Sequence, residues 1–199
     1  MTIYLLDINK NMTDAWHKYF DVLKDEKIKI VNENFESFMN NHPNIEAVVS
    51  PANSFGLMDG GYDKAIIDYF GETLMNDVQR NILNKWYGEQ PIGTSMTIPI
   101  STRIVNDKKY CILIHTPTMR TPEQIIDYRI IYQCMRTTLI EAIKQGVKNI
   151  VIPAFGGLTG RVPYDTVAKM MFLAYKQVYN PPQKINWGYA YNIAVELNT

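Results

Sequence analysis

The most informative part of the sequence is the segment AVVSPANSFGLMDGGYDKAIIDYFG at residues 47–71. It begins with a short apolar run at 47–50, which is typical of a buried strand. A loop with three glycines follows, and a helix is expected to begin near Tyr62. Glycine lets the backbone approach a ligand closely, and the free N–H groups of a helix start bind anions. The loop is therefore a candidate binding site, although such turns between a strand and a helix also occur in purely structural positions.

A second segment, NIVIPAFGGLTGRVPYDTVAKMM at residues 149–171, has the same organisation. An apolar strand at 149–153 runs into a glycine-containing turn at 156–160, and a helix is expected from Pro163. The turn matches neither the G-x-G-x-x-G dinucleotide fingerprint nor the P-loop pattern, because no Gly-Lys-Ser/Thr follows it. What remains is a row of backbone N–H groups that can surround a diphosphate without a lysine.

Around these two segments, apolar strand patterns alternate with helical patterns. Strands are expected at residues 3–6, 28–31, 47–50, 94–100, 109–115 and 149–153, and helices at 12–23, 35–40, 62–70, 72–87, 122–145 and 163–179. A polar turn at Asn106 and Asp107 is expected to join the fourth and fifth strands. This alternation predicts a three-layer α/β/α sandwich with a mixed, mostly parallel central sheet. In such folds ligands bind beyond the carboxyl ends of the strands.

The helix expected at 122–145 has the clearest local signals. Thr121 and Gln124 form a Thr-x-x-Gln capping box, Pro122 suits a first helical position, and Gly146 follows the last turn. The tail at 187–197 is expected to be a final edge strand or to be only partly ordered.

The composition predicts one domain over residues 1–199. Twenty basic residues balance twenty acidic ones, so an extended nucleic-acid surface, which needs clustered cations, is not expected. The N-terminus turns polar too early for a signal peptide, and no apolar run is long enough to cross a membrane. Cys111 and Cys134 lie in apolar runs, which indicates buried thiols. We therefore expect a cytoplasmic monomer, without a metal because no metal-ligand spacing is present.

Several of these segments, taken in order, resemble the macrodomain family. In that family a strand ends in Asn-Ala-Ala-Asn and a Gly-Gly-Gly-Val-Asp-x-Ala-Ile stretch opens a helix; here the corresponding residues are SPAN at 50–53 and GGYDKAI at 60–66. The run YCILIHT at 110–116 is similar to the family's Tyr-Val-Ile-His-Thr strand, and 155–160 stands at its second phosphate-binding loop. The matches cover about residues 28–179. With PANSFG at 51–56 and PTMR at 117–120, the chain resembles a divergent microbial or viral branch.

The resemblance implies a site for ADP-ribose or a derivative, without a cofactor. Asn53 would contact the distal ribose, and the glycine-containing turn at 156–160 would donate N–H groups to the diphosphate. The expected ligand-binding residues are Asn34, Phe35, Ala52, Gly60, Gly61, Tyr62, Phe155, Gly156, Gly157, Leu158, Thr159 and Gly160. Phe155 or Tyr191 would stack on a ring of the ligand, although Phe155 and Phe55 fit the core equally well.

The adenine end of the expected site departs from the family pattern. The family places an aspartate, in Gly-Asp-Ile, where it accepts from the adenine amino group. Asn34 stands at that position here, and an amide oxygen accepts the same bond without charge assistance. Either adenine binds more weakly or the preferred ligand differs. Asp7, after the first strand, is an alternative acceptor.

For catalysis, the resemblance implies Asp63 and Asn53. Asp63 occupies the position that the hydrolases of the family use, where a carboxylate beside the distal ribose orients or deprotonates a water. Asp59 would assist it or be a solvated loop residue. His115 lies inside an apolar strand, which favours a structural histidine over a base.

The leading functional hypothesis is hydrolysis of an ADP-ribosyl or ADP-ribose-1''-linked group, on a free metabolite or on an ADP-ribosylated macromolecule. One alternative is a non-catalytic reader of ADP-ribose. Another is a sink or sensor for a signalling nucleotide derived from NAD. All three would share one binding site, so the sequence leaves the choice between them open.

Overall fold

The computed structural model describes residues 1–105 and 109–198. The turn expected at Asn106 and Asp107 lies outside these residues. The described part of the chain forms one six-stranded sheet with the order β2-β1-β6-β3-β5-β4. The strands are β1 (Thr2–Leu6), β2 (Ile28–Val31), β3 (Ala47–Ser50), β4 (Met96–Val105), β5 (Lys109–His115) and β6 (Asn149–Ile152). Only the pairing of β4 with β5 is antiparallel among these strands, so the expectation of a mixed, mostly parallel sheet is confirmed.

Seven α-helices connect or flank these strands in the described residues. They are α1 (Lys10–Phe20), α2 (Phe35–Asn41), α3 (Gly61–Phe70), α4 (Thr73–Trp86), α5 (Arg129–Lys144), α6 (Tyr164–Tyr179) and α7 (Trp187–Asn198). A short 3₁₀ helix (Asp21–Leu23) extends α1. None of these helices is both long and apolar enough to cross a lipid bilayer.

The helices cover both faces of the sheet and give three layers. Buried side chains of α1, α5 and α6 form one cluster with one face of the sheet, and those of α2, α3 and α4 form another with the opposite face. Successive strand residues alternate between the clusters: Val48 packs with the second and Val49 with the first. This alternation is the side-chain period of a strand with both faces buried. The predicted three-layer α/β/α sandwich is therefore confirmed.

The helix predicted over 122–145 is wrong in its first part. Helix α5 begins at Arg129, whose backbone N–H lies 3.0 Å from Oδ1 of Asp127. Upstream, the N–H of Ile125 donates instead to the carbonyl of Gly160 at 2.9 Å, and the Ile125 side chain is buried. This tertiary contact holds the segment out of helical geometry, so the Thr121 capping box is not formed.

The tail is also different from the expectation of an edge strand or partial order. Residues 187–198 form α7, and none of its residues is buried. Leu197 packs against the cluster around α5 and α6, whereas Trp187, Tyr191 and Val195 are mostly exposed. The other predicted elements are present with shifted ends; the largest shift is at β4, which runs on to Val105.

Candidate ligand-binding site

A cavity of about 680 Å³ lies beyond the carboxyl ends of β1, β2, β3 and β6. The first loop (residues 51–60) joins β3 to α3, and the second loop (residues 153–163) joins β6 to α6. The volume lies within the range of small-molecule and cofactor sites. The lining residues are Asp7, Ile8, Asn9, Glu33, Asn34, Phe35, Pro51, Ala52, Asn53, Leu57, Asp59, Gly60, Gly61, Tyr62, Asp63, Ala65, Thr118, Met119, Pro122, Pro153, Ala154, Gly156, Gly157, Leu158, Thr159, Gly160 and Tyr164.

The side chain of Asn53 holds the first loop in shape. Its Oδ1 accepts from the backbone N–H groups of Phe55 at 3.1 Å and Leu57 at 3.2 Å, and its Nδ2 donates to the carbonyl of Leu57 at 2.7 Å. Gly56 has a φ of +65°, and a Cβ there would lie 2.7 Å from Cγ1 of Val78 in α4. Asn53 lines the cavity, and after these bonds one amide hydrogen remains for a ligand.

The start of α3 places a carboxylate in the wall of the cavity. Gly60 is the N-cap, and Asp63 lies in the first turn with its side chain buried. The Ser50 hydroxyl donates to Oδ1 of Asp63 at 2.7 Å. Desolvation by burial raises the pKa of Asp63 to about 7; the Ser50 bond lowers it and the nearby Asp59 raises it further. A carboxyl that titrates near neutral pH is suited to general acid–base chemistry.

Tyr62 is partly buried beside this carboxyl, and its hydroxyl is fully buried. Its ring packs edge-on against Phe35 with the centroids 5.3 Å apart. The hydroxyl has no hydrogen-bond partner within residues 1–105 and 109–198. Burial raises the pKa of Tyr62 well above its usual value, and Asp7 and Asp63 raise it further. The Tyr62 phenol is therefore neutral and close to both carboxyls.

The second loop presents a row of backbone N–H groups. None of the five N–H groups of residues 156–160 donates a hydrogen bond to a described protein atom. Gly156 has a φ of +73°, and a Cβ on Gly160 would lie 2.7 Å from the Gly156 carbonyl oxygen. A row of backbone donors without protein partners is a usual setting for an anion.

The end of β1 supplies polar groups on the other side of the second loop. Asp7 accepts from the backbone N–H of Asn9 at 2.8 Å, and the Asn9 amide donates to the Tyr164 hydroxyl at 2.8 Å. Burial raises the pKa of Asp7, although the Asn9 hydrogen bond lowers it. Ile8 lines the cavity but is largely exposed, as is Leu158.

Asn34, expected at the adenine end, lines the cavity but also caps a helix. Its Oδ1 accepts from the backbone N–H of Ser37 at 2.9 Å, so it is the N-cap of α2. Glu33 lies beside it in the lining and accepts from Asn41 at 3.1 Å. The bond from Ser37 uses part of the acceptor capacity of Asn34. The carboxyls of Asp7 and Glu33 line the same side of the cavity, after β1 and β2.

Most of the predicted site residues line this one cavity. Phe155 does not; its side chain is fully buried in the core, where it offers no ring to a ligand. Tyr191 lies in α7 and faces Trp187, and the Phe55 ring contacts the guanidinium of Arg120. Neither Tyr191 nor Phe55 is in the lining.

His115 is fully buried and does not line the cavity. Its Nδ1–H donates to Oε1 of Gln90 at 2.7 Å, since the Gln90 amide nitrogen donates to the carbonyls of Thr94 and His115. Desolvation lowers its pKa to about 3. The histidine is therefore neutral and structural, as its place in an apolar strand predicts.

Sequence reasoning missed several lining residues, including Ile8, Asn9, Glu33 and Tyr164. A signal existed for two of them, Asn9 and Glu33, because polar residues shortly after β1 and β2 lie at the carboxyl ends of parallel strands. Tyr164 carried no such signal. It reaches the site through the tertiary contact with Asn9.

The model of the family described as Macro domain matches residues 49–171, well over half of the chain and including both loops. The chain belongs to the macrodomain family. Among its relatives, an uncharacterized protein of Aquifex aeolicus is 30% identical over 126 residues, which are 63% of this macrodomain and 70% of that protein.

Solved macrodomain structures share the fold at low identity. The Oceanobacillus iheyensis macrodomain, a mutant with ADPR, has a TM-score of 0.57 and 20% identity over 67% of this chain and 70% of that chain. The Trypanosoma brucei macrodomain in complex with ADP has a TM-score of 0.55 and 16% identity over 70% of this chain and 54% of that one. At these identities the comparison shows a shared fold, and this macrodomain is a divergent member of the family.

Proposed function

We propose that this macrodomain binds ADP-ribose or a derivative in the cavity between its two loops and hydrolyses the bond at the anomeric carbon of the terminal ribose. The observation that carries the proposal is the pairing of free N–H groups at residues 156–160 with the buried carboxyl of Asp63 across one cavity. Two solved relatives with ADPR and ADP support the choice of ligand.

In this proposal the second loop binds the diphosphate. Its N–H groups, together with those of the first turn of α3, which lack acceptors within the helix, compensate the negative charge. The remaining amide hydrogen of Asn53 donates to a hydroxyl of the distal ribose. The carboxyls of Asp7 and Glu33, with Asn34, are the acceptors available to the adenine amino group at the other end.

Asp63 is the proposed general base. Its Oδ1 accepts from Ser50, whereas Oδ2 has no hydrogen-bond partner in the described part of the chain. Oδ2 takes a proton from a water whose oxygen bonds to the anomeric carbon, while the bond to the leaving group breaks and that group keeps the electron pair. With a pKa of about 7, a substantial fraction of Asp63 is ionised at neutral pH.

A second candidate, a reader without turnover, is favoured by the state of the other polar groups. His115 is sealed in the core, and most of the hydrogen-bonding capacity of Asn53 is spent on its own loop. Among the described lining residues there is no histidine or cysteine to serve as the acid for the leaving group. A sink or sensor for a nucleotide derived from NAD would use the same contacts as a reader. The cytoplasmic location and the monomeric state expected from the sequence also stay predictions.

The experiment is a comparison of turnover and binding in Asp63→Asn and in a matched control, Asp68→Asn. Asp68 lies on the exposed side of α3, where it pairs with Lys64. We expect Asp63→Asn to lose about a hundredfold or more in hydrolysis of ADP-ribosylated protein, as is typical for a general base, while ADP-ribose binding changes little. Asp68→Asn should match the parent protein. If the parent protein binds ADP-ribose but turns over no derivative, it is a reader or a sink.

A further inference from the structure

Among the described residues, the charged side chains that line the cavity are all acidic. Its carboxyls belong to Asp7, Glu33, Asp59 and Asp63, and the lining contains no lysine, arginine or histidine among the described residues. Protein sites that bind phosphate groups commonly use arginine or lysine side chains. Here, negative charge on a ligand is met only by backbone N–H groups and neutral side chains.

These carboxyls lie on both sides of the second loop. The strand order places the end of β6 between the end of β1 and the end of β3. Asp7 and Glu33 follow β1 and β2 on one side, whereas Asp59 and Asp63 follow β3 on the other. A ligand whose diphosphate lies on the second loop therefore has two carboxyls near each of its ends, whichever way it is oriented.

Three of the carboxyls, those of Asp7, Asp59 and Asp63, lie close enough to other groups of the cavity to shift their pKa values. Asp59 raises the pKa of Asp63, and both Asp7 and Asp63 raise the pKa of Tyr62. The Asp63 side chain and the Tyr62 hydroxyl are buried, where charges are screened less than at the surface. A further anionic group at either end of the ligand would therefore be repelled by these carboxylates.

We propose that this site accepts ADP-ribosyl compounds whose terminal substituent is neutral or cationic and discriminates against those that carry an additional phosphate. The proposal rests on the proposed function and narrows its substrate class. It selects ester-linked and N-linked ADP-ribosyl groups and disfavours ADP-ribose 1''-phosphate. The two charges of the diphosphate are tolerated because the free N–H groups of the second loop lie opposite them.

The size of the effect follows from Coulomb interactions. One carboxylate about 6 Å from a phosphate charge, at an effective dielectric constant between that of a protein surface and water, weakens binding about tenfold. Because such a repulsion is screened by salt, the discrimination should shrink as ionic strength rises. Exclusion by shape alone would not depend on salt.

The test is calorimetric titration of the full chain with ADP-ribose and with ADP-ribose 1''-phosphate, at low and high salt. We expect ADP-ribose to bind at least about tenfold more tightly at low salt, and this ratio to fall at high salt. Asp59→Asn should reduce the ratio several-fold. The exposed Asp68→Asn is the control and should leave the ratio unchanged.

A second variant covers the opposite orientation of the ligand. Glu33→Gln keeps an acceptor for Asn41 and removes the charge on the side of β2. It should reduce the ratio if the substituent lies at that end. Equal or tighter binding of the 1''-phosphate by the parent protein would overturn the proposal, as would a ratio that neither variant nor salt changes. Loss of binding to both compounds would instead reject the ligand class itself.

Discussion

At the scale of single residues, Asp63 illustrates how burial and hydrogen bonding compete. A bond from Ser50 stabilises the charged carboxylate, but the desolvation of a buried charge is the larger effect, so the pKa rises from 3.8 to about 7. The same residue without burial would be a permanently charged surface group. Its place in the first turn of α3, facing the cavity rather than solvent, gives it a titration near neutral pH.

The stability of the protein should therefore depend on pH through Asp63. Since the folded state holds this proton up to about pH 7, it binds more protons than the unfolded chain above about pH 4, and the free energy of unfolding falls as pH rises through this window. The shift corresponds to at most about 4 kcal/mol. Asp63→Asn removes the free-energy cost of burying a charged carboxylate. The amide oxygen of the variant can still accept the hydrogen bond from Ser50.

We expect Asp63→Asn to raise Tm relative to the parent protein much more at about pH 8 than at about pH 5, where the carboxyl is already neutral. Thermal unfolding of both proteins at the two pH values measures this. Asp68→Asn controls for the general loss of a carboxyl on α3. A difference in Tm that stays the same at both pH values would mean that Asp63 is not held in a desolvated state.

At the scale of elements, the second loop and the segment before α5 form one structural unit. The Ile125 N–H donates to the Gly160 carbonyl, and the Val162 N–H donates to the Gly156 carbonyl. Added Cβ atoms on Gly156 and on Gly160 would both lie 2.7 Å from Cδ1 of Ile125. The glycines thus permit close packing between the second loop and the side chain of Ile125.

Two neighbouring substitutions test this packing. Gly160→Ala places a Cβ 2.7 Å from the Gly156 carbonyl oxygen, whereas Gly157→Ala places one 3.5 Å from Cε1 of Tyr164, an ordinary contact. We expect Gly160→Ala to lower the free energy of unfolding by about 1–3 kcal/mol, as overpacking does, and Gly157→Ala to change it by less than about 0.5 kcal/mol. Urea unfolding of both variants measures the difference, and equal stabilities would contradict the packing.

The sequence predicted the elements that depend on local pattern and failed where a distant contact decides. The apolar runs of the strands and the two glycine-containing loops indicated the sheet and the cavity. The start of α5 was wrong because Ile125 bonds to Gly160, a partner that no local capping pattern reveals. Phe155 was a candidate ring for the ligand, but its side chain packs from the second loop into the core cluster around α5 and α6. Asn9 and Tyr164 meet only through the fold.

At the scale of the whole molecule, the strand order explains how separate parts of the sequence form one site. The chain runs from β1 to β2 at one edge of the sheet and then crosses to β3. Strands β1 and β6 therefore lie between β2 and β3, which are consecutive in sequence. Loops after β1, β2, β3 and β6 therefore converge on one cavity, as expected at a topological switch point. The net charge of zero adds no long-range attraction, so affinity depends on short-range contacts inside the cavity.

The most direct test of this account is calorimetric titration with ADP-ribose, with AMP as the comparison ligand. AMP lacks the second phosphate and the distal ribose, and so lacks the groups expected at the second loop and at Asp63. We predict micromolar or tighter binding of ADP-ribose and clearly weaker binding of AMP. Absence of detectable ADP-ribose binding, or equal affinity for AMP, would contradict the proposed site while leaving the macrodomain fold intact.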